Sequence, residues 1–145
     1  MRHHLLDVNL LIALLDEAHP AHATAHRWAG ECKGTFVTCP LVENGAFRIM
    51  TQPAYTRGAS ALTLAVVLGA FRQTLQGIAH QRWDDTLSLA DTDHFDHAMI
   101  YGPRQLTDIY LLGLAVAHEG QLVTLDQNIP LAAVRGARAE NLRVL

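Results

Sequence analysis

Two cysteines, a small surplus of acid and the want of any long apolar run remove several classes of protein at once. Cys32 and Cys39, with six residues between them, match no zinc or redox spacing and predict two reduced thiols. A net charge of −3 gives no whole-protein attraction for nucleic acid. Arg48, Arg57, Arg72, Arg82 and Arg104 are left as the material for a local basic rim. Charged residues make up 17% of the chain against 50% hydrophobic ones, a balance that excludes disorder. The longest nearly apolar run, Leu62 to Phe71, is about half of what a membrane-spanning helix needs. Met1 to Leu6 meets Asp7 too early to supply the apolar core of a signal peptide. The expectation is a soluble, cytoplasmic chain with no membrane partner. No repeat, linker or low-complexity segment divides the sequence, so residues 1–145 read as a single domain.

What is present alternates strand with helix. Short strands are expected at His3–Leu6, Thr35–Thr38, His80–Arg82, Gln121–Leu125 and Leu142–Leu145. Val8, Leu11, Ile12 and Leu15 have the 3, 4, 7 spacing of one helical face. Further helices are expected at about Ala21–Cys32, from Pro40 with Thr38 as its cap, at Ala59–Gln76, and at Thr107–Glu119 with Gly120 as its stop. Tyr55–Gly58 reads as a loop, Asp84–Tyr101 as one or two short helices, and Ile129–Val134 as another. Such alternation argues for an α/β fold, a parallel sheet with helices on both faces.

Four acids stand where these elements hand over to one another. Asp7 ends the first strand, Glu43 opens a helix after the second, Asp126 ends Leu122–Leu125, and Asp108 begins the most apolar helix of the chain. Open parallel sheets collect such transitions, and their sites, at the carboxyl ends of the strands. Four carboxylates gathered there repel one another unless a divalent cation neutralises them. Asp7 and Asn9 are hard oxygen donors of the kind magnesium and manganese take. The helix behind Asp108 is apolar all round, so its carboxylate is carried close to the interior, where an unpaired charge is costly. Thr124 alternates with Asp126 onto one side of its strand. The pattern predicts a metal-dependent hydrolase that activates water and uses no side-chain nucleophile.

The motifs Leu6-Asp7-Val8-Asn9, Glu43-Asn44-Gly45-Ala46-Phe47-Arg48, Leu106-Thr107-Asp108 and Val123-Thr124-Leu125-Asp126 resemble a PIN domain, in particular the VapC-type toxins of bacterial toxin–antitoxin pairs. His80–Asp85 and Gly102–Asp108 also resemble one branch of those toxins. The resemblance runs over essentially the whole chain and keeps the acids in order. It implies a three-layer α/β/α domain with a mainly parallel central sheet. It implies too a Mg²⁺-dependent ribonuclease, with Mn²⁺ able to substitute, that forms a homodimer and is silenced by a cognate antitoxin. Matched by position, Asp7, Glu43, Asp108 and Asp126 are the expected catalytic acids, with Asp7 and Asp108 on the metal. Asn9 and Thr124 match auxiliary polar positions, and Gln127-Asn128 departs from the family's more charged pattern.

Other conspicuous residues read as structural. His19, His22 and His26, like His94 and His97 among Asp91, Asp93 and Asp96, need no metal to explain them, and Trp28, Trp83 and Tyr110 read as core. Arg48, about one and a half turns beyond Glu43, is a candidate contact for RNA or antitoxin. Ala59–Phe71 and Val8–Leu15 suit either an interface or the core. Two alternatives stand beside the nuclease. Asp7-Val8-Asn9 is similar to the opening motif of haloacid-dehalogenase phosphatases, which normally place a second Asp where Asn9 stands. A non-catalytic PIN-like module binding RNA or protein is the other, although it has no reason to face phosphates with four acids.

Overall fold

The computed structural model describes residues 2–145. Five strands, β1 (His3–Leu6), β2 (Thr35–Thr38), β3 (His80–Arg82), β4 (Gln121–Thr124) and β5 (Leu142–Val144), form one sheet in the order β3-β2-β1-β4-β5. Every pair in it is parallel. The chain leaves β1 for β2 on one side and returns to β4 on the other. The order therefore reverses between β1 and β4, and the carboxyl ends of those two strands open a crevice. The register pairs Leu6 with Val123, and the ladder continues one step as the Asp7 N–H donates to the Val123 carbonyl at 3.1 Å.

Helix α1 (Val8–Leu15) starts on Asp7, whose Oδ1 accepts the Leu10 N–H at 2.6 Å, and it buries Leu10 through Leu15 without a break. That segment is core, which settles one of the two interface candidates. Its last turn is closed from α2 (His22–Glu31), where His22 Nδ1 meets the Ala13 carbonyl at 2.7 Å and His26 Nε2 the Leu14 carbonyl at 3.0 Å. These imidazoles occupy carbonyls that a helix end leaves without partners. Helix α3 (Pro40–Met50) has Pro40 in its first turn and Cys39 at its cap. The expected Thr38 cap is absent because the Thr38 hydroxyl is hydrogen-bonded to His80 Nε2 at 2.8 Å. Helix α4 (Leu64–Leu75) begins five residues later than its composition suggested, since Thr63 caps it by accepting the Val66 N–H. A short 3₁₀ turn, Pro53–Thr56, runs into the expected Tyr55–Gly58 loop.

Helix α5 (Leu106–Ala117) lies against β4 and β1, whereas α1, α2, α3 and α4 pack on one another. Thr107 sits inside its first turn rather than capping it, because a 3₁₀ turn at 103–105 leads straight into the helix. Between Trp83 and α5 the chain is mostly irregular, and over Asp84–Tyr101, where one or two short helices were expected, it forms only a 3₁₀ turn at 97–99. It is pinned by Phe95, fully buried against Gly113, where an added Cβ would lie 2.6 Å from the ring. Glycine is required there by the close approach of the ring. Trp28, Trp83 and Tyr110 are all buried. Among the described residues no helix is long and apolar enough to cross a membrane.

Candidate active site

The crevice at the ends of β1 and β4 receives Asp7, Asp108 and Asp126. Asp7 is only 2% exposed, and both carboxylate oxygens are engaged: Leu10 N–H donates to Oδ1, and the Thr124 hydroxyl donates to Oδ2. Thr124 Oγ1 also accepts the Asp126 N–H at 2.9 Å, so one hydroxyl ties the end of β1 to the turn after β4. Asp126 in turn accepts the Asn128 N–H at 2.8 Å, holding that turn closed.

The electrostatics are those of an overcharged site. Burial pushes the Asp7 carboxyl above its ordinary value, opposed by its two donors and reinforced by the charge of Asp126. Asp108 is pushed up to about 6, first by burial, then by the charges of Asp7 and Asp126, with a hydrogen bond to Asp126 adding to the shift. Asp7 and Asp108 are thus each held above the ordinary carboxylate value by burial and by neighbouring negative charge. In front of them lies an open cleft of about 260 Å³ whose wall includes Asn9, Arg48, Arg104 and Thr107. Arg48 and Arg104 are exposed at its edge, and neither is in an ion pair with the acids.

Glu43 is not brought into this set, contrary to the expectation from sequence. It is 5% exposed and bound by Arg82 of β3 through two hydrogen bonds, Nε to Oε2 at 2.8 Å and Nη2 to Oε1 at 2.7 Å. Helical phase explains the placement. Leu41, Gly45, Arg48 and Ile49 are the α3 residues that line the acidic cleft. Glu43 projects roughly opposite to them, on the side of Val42, Ala46 and Met50, at about 100° per residue. There the parallel register sets Thr38 beside Arg82, and the guanidinium reaches the carboxylate across the sheet edge. Among the described residues, no three His, Cys, Asp or Glu side chains meet at a single metal-binding point.

No family model matches the chain. Ribonuclease VapC44 of Mycobacterium tuberculosis is 39% identical to it over 142 residues, 97% of this chain and 98% of that protein. The chain belongs to the VapC ribonuclease family of PIN-domain toxins. Solved VapC structures share the fold. VapC20 of Mycobacterium tuberculosis, a toxin that cleaves the sarcin–ricin loop, matches with a TM-score of 0.54 at 13% identity, over 81% of this chain and 85% of that one. VapBC2 of Rickettsia felis, solved on a fragment of promoter DNA, matches with a TM-score of 0.52 at 11% identity, over 86% and 87%.

For a VapC ribonuclease the sequence was most informative about the residues that end strands. Asp7 follows β1, Thr124 ends β4 and Asp126 lies just beyond it, and the structure brings them to one crevice. What it missed is the pairing of Glu43 with Arg82 and the neighbours contributed by segments without periodicity, such as Asp85, which accepts the Leu41 N–H at 3.0 Å. The acidic stretch Asp84-Asp85 was visible in the chain, but nothing local tied it to α3.

Proposed function

We propose that this VapC protein is a Mg²⁺-dependent endoribonuclease, the toxin of a toxin–antitoxin pair, with Asp7, Asp108 and Asp126 as its metal-site acids. The observation that carries the reading is the convergence of Asp7, Asp108 and Asp126 at the ends of β1 and β4, with Asp108 raised to about 6 by burial and by the charges of the other two. Their chemistry fits the ion. Magnesium is held through one or two carboxylates and keeps several of its waters, so Asp7 and Asp108 suffice without three acids meeting at a point. Mn²⁺, which takes the same oxygen donors, is expected to substitute. When bound, the ion neutralises phosphate charge and supplies an activated water for hydrolysis.

The chain's own groups do the rest. Thr124 and the Leu10 amide fix the orientation of Asp7, which is a ligand position that cannot drift. Asp126 is held by its own turn within hydrogen-bond reach of Asp108. Arg48 and Arg104, exposed at the cleft edge, meet the phosphates on either side of the cut and offset the acids' repulsion of RNA. Asn9, exposed on the first turn of α1, would donate its side-chain amide to the substrate. Glu43 serves as the partner of Arg82 and braces α3 against β3.

A cognate antitoxin and a second copy of the chain are the expected protein partners. The outer face of α4, where Leu64 and Val66 are 51% and 58% exposed, is the apolar surface available to one of them.

Purified protein is tested on end-labelled cellular RNA with Mg²⁺, with Mn²⁺ and with EDTA, beside Asp7→Asn. Asparagine preserves the cap on α1 and removes the charge. Cutting that requires metal and is lost in the variant supports the reading, and equal cutting by both proteins overturns it.

A further inference from the structure

At the other end of the sheet, where β1 and β2 begin, lies a concavity of about 510 Å³, about twice the volume of the acidic cleft. Its rim carries Arg2, Lys33 and Arg143, all exposed, with Glu31 as the one acid, and the buried rings of His4 and Trp28 form its floor. Local structure gathers the cations. The Thr35 N–H donates to the Arg2 carbonyl at 3.1 Å, and Gly34, at φ 140°, lets the two segments approach so closely that an added Cβ would collide with that carbonyl. Lys33 is thereby fixed next to Arg2. Arg143 comes from the opposite side. It pairs with Val123, two residues beyond the Gln121 that pairs with His4, so its side chain shares a sheet face with His4. Both arginine charges are felt at the His4 ring, which burial chiefly holds below its ordinary value and Arg2 and Arg143 lower further. Among the described residues none of the three cations is in an ion pair. Glu31 and the carboxyl end of α2 offset part of this charge, and a positive surplus remains.

We infer that this concavity is a phosphate site that holds the backbone of the RNA substrate at a point remote from the cut. The inference rests on the ribonuclease reading for its substrate. Arg2 and Asp7 stand beyond opposite ends of β1, roughly 17 Å apart at the rise of a strand, so the contact is made by an RNA that reaches from one rim of the sheet to the other. Affinity for RNA comes largely from phosphates neutralised by Lys and Arg. At the cleft the acids oppose that attraction until a cation is bound, and the chain as a whole carries −3, so a separate basic surface supplies what the cleft cannot. Arg2 and Arg143 can each present paired N–H groups to a phosphate, and Lys33 adds a point charge. His4 and Trp28 are only 5% exposed, too deep to stack on a base, so the contact positions the strand and reads no sequence. RNA, unlike an acidic segment of a protein partner, is a ligand that the active site already requires.

The test measures binding and cleavage separately. A fluorescein-labelled RNA hairpin is titrated by anisotropy in EDTA, over a series of salt concentrations, into wild type, Lys33→Ala, Arg143→Ala and Arg72→Ala, the last an exposed arginine of α4 outside the concavity. Lys33→Ala and Arg143→Ala are each expected to lower the slope of log affinity against log salt by about 0.7–0.9, the share of one phosphate contact. The two changes together are expected to weaken binding at least about tenfold at about 0.1 M salt. Arg72→Ala, which alters net charge equally, is expected to keep the wild-type slope. Tm should hold in every variant, since the replaced side chains are exposed. For cutting of the hairpin in Mg²⁺, KM is expected to rise by the factor seen in binding while kcat is retained. A slope unchanged in both variants, or lowered as much by Arg72→Ala, overturns the site. So does wild-type RNA binding by variants that no longer retain a co-purified antitoxin, which hands the concavity to an acidic protein segment. Cutting by every protein with no change of slope removes the site and leaves the ribonuclease reading standing. A lowered slope with no cutting of RNA by wild type does the reverse.

Discussion

Replacing Asp108 by Asn should make the metal-free protein more stable while ending its activity. The folded environment raises the Asp108 carboxyl from 3.8 to about 6. A shift of about two units corresponds to roughly 3 kcal/mol between the charged and neutral forms. Asp108 is only partly buried, so solvent screening reduces this by about half, to roughly 1.5 kcal/mol at pH 7. For a chain of this length that is a rise in Tm of roughly 4 °C. The pH dependence carries a sign that packing effects do not. A carboxyl raised on folding binds its proton more readily in the folded state, so wild-type stability increases as pH falls through about 6 towards 3.8. The advantage of Asp108→Asn should therefore be present at pH 7.5 and shrink by pH 5. Thermal unfolding in EDTA across that range measures both quantities. Addition of Mg²⁺ should then stabilise wild type and leave the variant nearly unmoved. A variant less stable than wild type in EDTA at neutral pH, or a gap that does not narrow on acidification, refutes the reasoning that the acids are in mutual repulsion.

Thr124→Val removes the donor to Asp7 and the acceptor of the Asp126 N–H at once, and should cost about 1–3 kcal/mol in urea unfolding with weaker Mn²⁺ binding by calorimetry. An unchanged Mn²⁺ affinity would detach Thr124 from the site. Arg82→Ala leaves the Glu43 carboxylate buried without its cation. Since the Arg82 side chain is 57% exposed, the loss should be roughly 2 kcal/mol rather than the full figure for a buried pair, and adding Glu43→Gln should recover part of it. A Glu43→Gln protein of full stability that has lost Mg²⁺-dependent cutting would return Glu43 to the metal site. Gly113→Ala drives a Cβ to 2.6 Å from the Phe95 ring and should lower stability by roughly 1–3 kcal/mol, read as a reduced urea midpoint with cleavage retained once folded.

Local chemistry determined much of this molecule. Strands β1, β2 and β3 lie where alternation and turn residues predicted them, and Asp7 is at once a strand end and a helix cap because its own neighbours make it so. The acids that follow β1 and β4 were legible for the same reason: in a parallel α/β sheet, the residue after a strand is at the edge where ligands bind. The histidine pair of α2, expected as structural, meets the two carbonyls left open by the end of α1.

What sequence could not decide was orientation and long-range pairing. The start of α4 depended on whether Thr63 or the alanines before it governed the first turn, and the cap prevailed. The direction of Glu43 depended on which face of α3 met the cleft, and a two-residue offset on a helix is enough to send a side chain to the other side. Arg82 reaches it only because β2 and β3 are in register, a fact held between segments 39 residues apart. The concavity lined by Leu41, Asp85, Leu106 and Tyr110 joins residues of α3, the irregular segment after β3, and α5, none of which signals the others in sequence. Periodicity and capping act within a few residues and are written along the chain. Register, helical phase and the partner of a buried charge are set by packing, and only the folded molecule contains them.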